Sequence, residues 1–559
     1  MTLDRLANNV IDTDVLVIGG GVAGCPAAAK AAEHGLSVTL VEKSKVDRSG
    51  SAGQGMDHYG GAFPRGMTVD EFVEIWKELG WESAWYFGGK FADPNRLYRL
   101  YANGQWGVEE LEKLGVNMKW YDGKIRPIKS VRQYPFLRIH WMYCKPEMAA
   151  GVKKRGVNVL NRTMITDLLT HNGTVVGATA VDTRTGAFTV IRAKATIIAT
   201  AACSRIYDPE TPVPWKYKFR FHWCPASVSG DGWAMGFRAG AEMANFEQTE
   251  RGYRYRDDLT LSQGNRNNEG VSGNQFTWDG EPMCGRDRAD LERQGKTPIY
   301  VTIENIGDDF QKRVEIAYVD ERMISLKAAQ DRGFNPRHHW YELMDDRPNQ
   351  LHVPPGLLGD MDFKTTLKGL YVIGDSVAGQ HDVANAAVSG FLVGDSISSY
   401  IKQAAEPIID EAQVQSIKET VLAPLSVKDG TPPMELECAI RYACNRYVGT
   451  FRAEGKIREG LRRLASLKRE FLPKLTANNP HFLTRCLEVR NLFDVAELHM
   501  LACLERKESR DFQIRLDYPD KDPKYEGLLL HQKLVNGKIT LDWKKQGQMT
   551  LAGSHKEER

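Results

Sequence analysis

The sequence predicts an α/β fold: a largely parallel sheet flanked by helices, an inserted α+β segment, and a helical C-terminal part. Three observations predict it. The apolar run Val15–Ile18 enters a glycine-rich stretch, Gly19 to Gly24, followed by the small-residue stretch Ala27–Ala32 and a second apolar run, Ser37–Val41. That order is the pattern of a β-α-β unit with parallel strands. Two later runs read as further buried strands, Ala195–Ala202 ending in small residues and Gly369–Asp375 ending in Gly-Asp. Between Val414 and Cys503 the apolar positions, among them Leu461, Leu464, Leu467 and Phe471, recur at helical spacing.

Composition limits the function. The 559 residues correspond to about three to five structural units. Lys+Arg number 74 against 72 Asp+Glu, a balance that argues against a nucleic-acid binder or a polybasic membrane binder. No apolar run approaches the ~20 residues of a membrane span, so no transmembrane segment is expected. The N-terminal MTLDRLANNVIDTD lacks a basic end followed by an apolar stretch, so no secretory signal is expected either. The nine cysteines are scattered and none forms a C-x-x-C pair. They read as reduced core thiols of a cytoplasmic protein, and argue against an iron–sulfur cluster or other metal site held by this chain.

In the first unit, Gly19 permits the tight turn after the strand. Gly21 lets the backbone approach a pyrophosphate at the helix N-terminus, and Gly24 permits close packing of helix on strand. Gly35 is placed to cap the helix. Glu42 lies 18 residues after Gly24, where a carboxylate accepts hydrogen bonds from ribose hydroxyls. Strand, glycines, helix, strand and terminal acid in this order mark a dinucleotide site. The later strands return to it, one ending at Ala199, Thr200 and Ala201, the other at Gly374 and Asp375. An Asp just past such a strand can bond a polyol chain. FAD carries a ribityl chain and NAD does not, so FAD is the expected dinucleotide.

Together these segments resemble the two-site FAD-binding oxidoreductases. More closely, they resemble flavoprotein subunits of the fumarate reductase, succinate dehydrogenase and adenylylsulfate reductase superfamily. Arg48-Ser49-Gly50-Ser51-Ala52-Gly53-Gln54-Gly55 is similar to that family's flavin-wrapping segment, and Ser229 to Met243 to its G-D-G-x-x-M-x-x-x-A-G-A segment. Leu487–Leu492 and Glu505–Arg510 are similar to its helical domain. The resemblance implies a discontinuous, Rossmann-like FAD-binding domain at 1–250 and 348–404, a capping domain at 251–347, and a helical domain with an extended, surface-lying tail at 405–559. It adds Lys43, Arg48, Ser49, Gly50, Gln54, Gly55, Ile165, Asp231 and Ser389 to the expected cofactor contacts.

The departures from the family narrow the chemistry. Fumarate reductases and succinate dehydrogenases carry a His that bonds covalently to the flavin, where this chain has Gly50, so the FAD is expected to be non-covalent. The A-N-R-L-G segment whose Arg grips a carboxylate is here Ala384 to Gly390 without an Arg, and Ala317 stands in place of a proton-donating Arg. Both losses argue against fumarate or succinate chemistry. Gly374 to His381 followed by Ser389-Gly390 is closer to adenylylsulfate reductase, as is Phe246-Glu247 followed by Arg254 to Asp257. Where that enzyme has an Asn near the flavin, Met56-Asp57-His58-Tyr59-Gly60 stands instead, which implies a different substrate.

Candidate catalytic residues are His352, His381, His58 and Arg254. Arg251, Arg254 and Arg256, with Tyr253 and Tyr255, read as a binder of an anionic substrate or as a solvated strand. Trp215, His222 and Trp223 read as a stacking surface or as ordinary aromatic packing. The favoured function is a catalytic flavoprotein subunit of a hetero-oligomer of anaerobic metabolism. It passes electrons between a small anionic substrate and a ferredoxin-type iron–sulfur subunit, the partner that the resemblance implies. Two alternatives stand beside it: a single-chain flavin reductase of an activated double bond, and a non-catalytic assembly subunit that binds flavin.

Overall fold

The computed structural model describes residues 3–55, 58–78, 91–120, 123–128, 136–139, 143–207, 225–252, 275–282, 291, 294–302, 331, 333, 340–343, 347–351, 354–380, 382–548 and 550. The fold is built on a β-α-β unit. Strand β1 (Asn9–Ile18) is half-exposed at its start and buried over Val15, Leu16 and Val17. Helix α1 (Gly24–Glu33) is almost wholly apolar and small, so seven of its ten residues are buried between neighbouring layers. It stops at Gly35, which takes φ +76° and donates its N–H to Ala32 O at 2.9 Å. Strand β2 (Val38–Glu42), buried at every position, pairs parallel with β1 in the register Val15 to Val38.

The rest of the sheet assembles around β1. Strand β3 (His58–Gly60) belongs to a small separate sheet, and helix α2 (Cys144–Lys154) packs on α1. Strands β4 (Asn158–Asn161), β5 (Thr163–His171), β6 (Thr174–Asp182) and β7 (Phe188–Ile198) complete the order β4-β2-β1-β7-β6-β5. β5, β6 and β7 form an antiparallel meander, whereas β7 runs parallel to β1. After helix α3 (Asp231–Arg238) and the short strands β8 (Met243–Ala244) and β9 (Gly356–Leu357), strand β10 (Leu370–Val372) returns parallel to the end of β7. Helix α4 (Val383–Ile401) follows and lies along α1. The contact is close because a Cβ at Gly390 would stand 2.2 Å from Ala23 O, and one at Gly394 2.6 Å from Ala27 O.

The C-terminal part contains helices α5 (Glu411–Leu422), α6 (Pro433–Ala443), α7 (Glu454–Glu470) and α8 (Pro480–Glu505). Leu464 is buried in their core, Leu461 and Leu467 are partly buried beside it, and Phe471 is exposed. The tail is extended as its sequence implies, but it does not simply lie on the surface. Strands β11 (Leu528–Val535) and β12 (Lys538–Lys545) form a hairpin whose first strand pairs with β8, burying Leu529, Leu530, His531 and Gln532. The strand opens as the apolar run Leu528-Leu529-Leu530, and pairing with β8 gives that run cover. Cys438 is exposed, contrary to the buried reading, whereas Cys25, Cys144, Cys203, Cys444, Cys486 and Cys503 are buried free thiols. Among the described residues no helix is long and apolar enough to cross a membrane.

Candidate functional site

The carboxyl ends of the parallel strands β1, β2, β7 and β10 open onto one cleft, with an empty volume of about 1490 Å3 including its mouth. Ligands of open α/β sheets bind at this end, where crossovers leave a crevice. The first wall is the turn after β1. Gly19 has φ +101°, and a Cβ there would stand 2.4 Å from Ala199 O; one on Gly24 would stand 1.9 Å from Gly19 O. Neither position accepts a side chain. Gly21 faces open space, with nothing within 4 Å of its Cβ direction. The N-terminus of α1 follows directly and favours an anion.

Glu42 stands at the end of β2. Its Oε2 accepts from Gly20 N–H and its Oε1 from Ser44 N–H, each at 2.8 Å, so the carboxylate is fixed while each oxygen keeps a further lone pair. Lys43 and Asp231 face each other in a buried charge network. The Lys43 ammonium donates to Asp231 at 2.7 Å, to Glu488 on α8 at 2.7 Å and to Ser229 at 2.9 Å. Burial alone would lower its pKa, but the two carboxylates outweigh that and raise it. Glu488 also pairs with Arg205 at 2.6 Å and Arg485 at 2.7 Å. Burial opposes its ionisation, yet Lys43 and Arg205 bring its pKa down to about 2.

The wall opposite is made by the turn after β10 and the start of α4. Gly374 donates its N–H to Ser389 Oγ at 3.1 Å, and Asp375 follows on the cleft wall. Asp382 also lines the cleft, with φ +90° and ψ 148° in a glycine region, and its carboxylate caps α4 by accepting from Val383 N–H at 2.5 Å. The cleft has polar atoms suited to a ligand. Thr200 Oγ1, on a residue of the cleft wall, is buried and has no hydrogen-bond partner among the described residues. The Thr200 hydroxyl, the open cradle at Gly21 and the acids Glu42 and Asp375 fit the diphosphate, ribose and ribityl groups of FAD.

The structure brings most of the expected cofactor residues together. Gly19, Gly21, Glu42, Lys43, Gly50, Gly55, Ile165, Ala199, Thr200, Ala201, Asp231, Gly374 and Asp375 line the cleft. Three stand behind its wall: Gly24 under the loop, Ser49 in the core, and Ser389, whose hydroxyl holds Gly374 rather than facing the cleft. Arg48 is exposed and off the wall, because its side chain turns to solvent. The side chains of Gln54, His58 and Arg251 lie outside what is described, as do Arg254, His352 and His381, Tyr253, Tyr255 and Arg256, Ala317, Trp215, His222 and Trp223. Sequence reasoning missed Asp382, Val383, Ala386 and Met235 on the wall and Lys145 beneath it. The only local signal was the short spacing of Asp382 after Gly374-Asp375.

Comparisons with known proteins agree with this geometry. A family model described as FAD binding domain matches residues 14–250, and one described as fumarate reductase flavoprotein C-term matches residues 439–556. One subunit of the fumarate reductase (CoM/CoB) of Methanothermobacter marburgensis is 25% identical over 572 residues, spanning 95% of this chain and 99% of that one. L-aspartate oxidase of Yersinia pestis is 28% identical over 417 residues, 67% of this chain and 71% of the relative. The solved adenylylsulfate reductase of Archaeoglobus fulgidus has a TM-score of 0.80 at 23% identity, covering 97% of this chain and 96% of that one. E. coli quinol fumarate reductase has a TM-score of 0.75 at 18% identity, over 98% of each chain. At these identities the two structures speak for the fold.

Proposed function

This chain is an FAD-dependent oxidoreductase of the flavoprotein family that includes fumarate reductase, succinate dehydrogenase and adenylylsulfate reductase, and from that premise we propose that it is the catalytic flavoprotein subunit of a hetero-oligomer. It passes electrons between a small anionic substrate and a ferredoxin-type iron–sulfur subunit. The observation that carries this reading is the end-to-end match to a protein named as a reductase subunit, together with a chain that has no C-x-x-C pair of its own. Bound FAD supplies hydride or single-electron transfer at its ring.

The chain's own residues hold and insulate that chemistry. The Gly19–Gly24 loop and the α1 N-terminus bind the diphosphate, Glu42 the ribose hydroxyls, and Asp375 the ribityl chain. Gly50 offers no nucleophile, so the flavin is held without a covalent bond. Arg254 holds an anionic group of the substrate, and His58, His352 and His381 hold and move the proton. The missing carboxylate-gripping Arg in Ala384–Gly390 favours a sulfur oxyanion or its nucleotide ester over a dicarboxylate.

The test is anoxic purification from the native source, with absorbance spectra before and after acid precipitation. The expected result is flavin in the acid supernatant and a brown iron–sulfur protein in the same peak. Addition of sulfite should then bleach the flavin. A lone yellow chain would overturn the partner, and flavin left on the pellet would overturn its non-covalent attachment.

A further inference from the structure

Lys145, the second residue of α2, is 1% exposed. Its ammonium lies beneath the glycine loop, donating to the carbonyl of Gly20 and standing 3.9 Å from Cys25 Sγ. Among the described residues no carboxylate lies within the 4.0 Å of an ion pair with it. Glu42, at the end of β2, directs its oxygens to Gly20 N–H and Ser44 N–H. Cys25 is not a counter-ion, because burial raises its thiol pKa by more than the Lys145 charge lowers it. An ammonium taken out of water without a counter-ion is one of the costliest arrangements in a protein interior.

The surroundings indicate which anion compensates it. The other face of the same loop carries the open cradle at Gly21 and the positive end of α1. The loop therefore has the Lys145 ammonium beneath it and the positive end of α1 beside it. We propose that the counter-ion of Lys145 is the diphosphate of the bound dinucleotide, and that Lys145 is a positioning residue for FAD acting through the Gly20 peptide. This rests on the reading of the cleft as an FAD site. The flavin-free protein then holds a buried ammonium with no carboxylate in ion-pair contact among the described residues, and bound diphosphate adds negative charge on the far side of the Gly20 peptide.

The test uses the full chain stripped of flavin, with wild type, K145M and K145Q, and three probes: FAD, ADP and adenosine. ADP has the diphosphate without the flavin, and adenosine lacks both. Calorimetry should show FAD and ADP affinities falling by about tenfold or more in both variants, with adenosine unchanged. The flavin-free K145M protein should melt at or above the wild-type temperature, because a buried charge has gone. Unchanged FAD and ADP affinities would overturn the proposal. So would equal losses for ADP and adenosine with a lower melting temperature, the signature of a simple structural staple. K145Q keeps a donor to Gly20 O and serves where K145M does not fold. A wild-type protein that binds neither FAD nor ADP would overturn the cleft assignment itself, whereas normal wild-type binding untouched by K145M would overturn the role of Lys145 alone.

Discussion

At position 50 the backbone takes φ 75° and ψ 176°, a region glycine enters freely and other residues enter at a cost of about 1–3 kcal/mol. A Cβ there would meet only Gly21 Cα at 3.5 Å, so the obstacle to a side chain is conformational rather than steric. Gly50→His is expected to lower the melting temperature and to leave the flavin extractable by acid. Flavin retained on the acid pellet of that variant would show that the loop can bend to carry the bond. His499 poses a titration problem. Its Nδ1 donates to Phe246 O at 2.6 Å and its Nε2 accepts from Tyr207 Oη, a pattern only the neutral ring satisfies. Burial, aided by the charge of Arg452, lowers its pKa from 6.5 to about 3. With the folded value below the unfolded one, protons favour the unfolded chain. The contribution is complete above pH 6.5 and is lost as pH falls toward about 3. Between about pH 7.5 and about pH 5 the loss is about 2 kcal/mol, measurable as a shift in urea midpoint. H499Q should flatten that slope while starting from a lower midpoint.

Among elements, α8 joins the helical part to the cleft through Glu488. This one carboxylate accepts from Lys43, Arg205 and Arg485, and Glu437 on α6 takes further bonds from Arg205 and Arg485. Removing one member leaves buried cations uncompensated, so Glu488→Gln should cost about 3–5 kcal/mol. Because Lys43 is part of the cleft wall, flavin occupancy should fall with it, and absorbance at fixed protein concentration reads both effects. A stable variant with full flavin would separate the network from the site. The β1–α1–β2 unit was legible in the sequence because its signals are local: adjacent glycines, alternating apolar runs and an acid at fixed spacing. The Gly374-Asp375 turn was legible for the same reason. Lys145 was not, since a lysine between Cys144 and Pro146 looks like a surface residue until α2 is folded onto α1. The partners of Lys43 were hidden too, because Glu488 lies far along the chain.

At the scale of the whole molecule, the hairpin β11–β12 completes a sheet begun at β8, nearly three hundred residues earlier. The apolar run Leu528–Leu530 was present in the sequence, but nothing local showed which edge it would pair with. A chain ending at Gly527 would expose the β8 edge and the apolar residues that Leu530 packs against. Such a truncation is expected to be less soluble and poorly loaded with flavin, and hydrogen exchange at Asn245, whose N–H donates to Leu530 O at 3.2 Å, should rise to that of open backbone. Unaltered exchange there would show that β8 is held by β9 alone.

The separation of Lys43 from Glu488 has a consequence for how the protein is made. The glycine loop leaves the ribosome early, whereas the acid that completes the adjacent wall comes 445 residues after Lys43. At about 5–20 residues per second, that interval is about 20–90 s. Cofactor capture is thus expected only after the helical part has been made, and ribosome-bound polypeptides stalled before Glu488 are expected to carry no flavin, which absorbance of the isolated complexes checks.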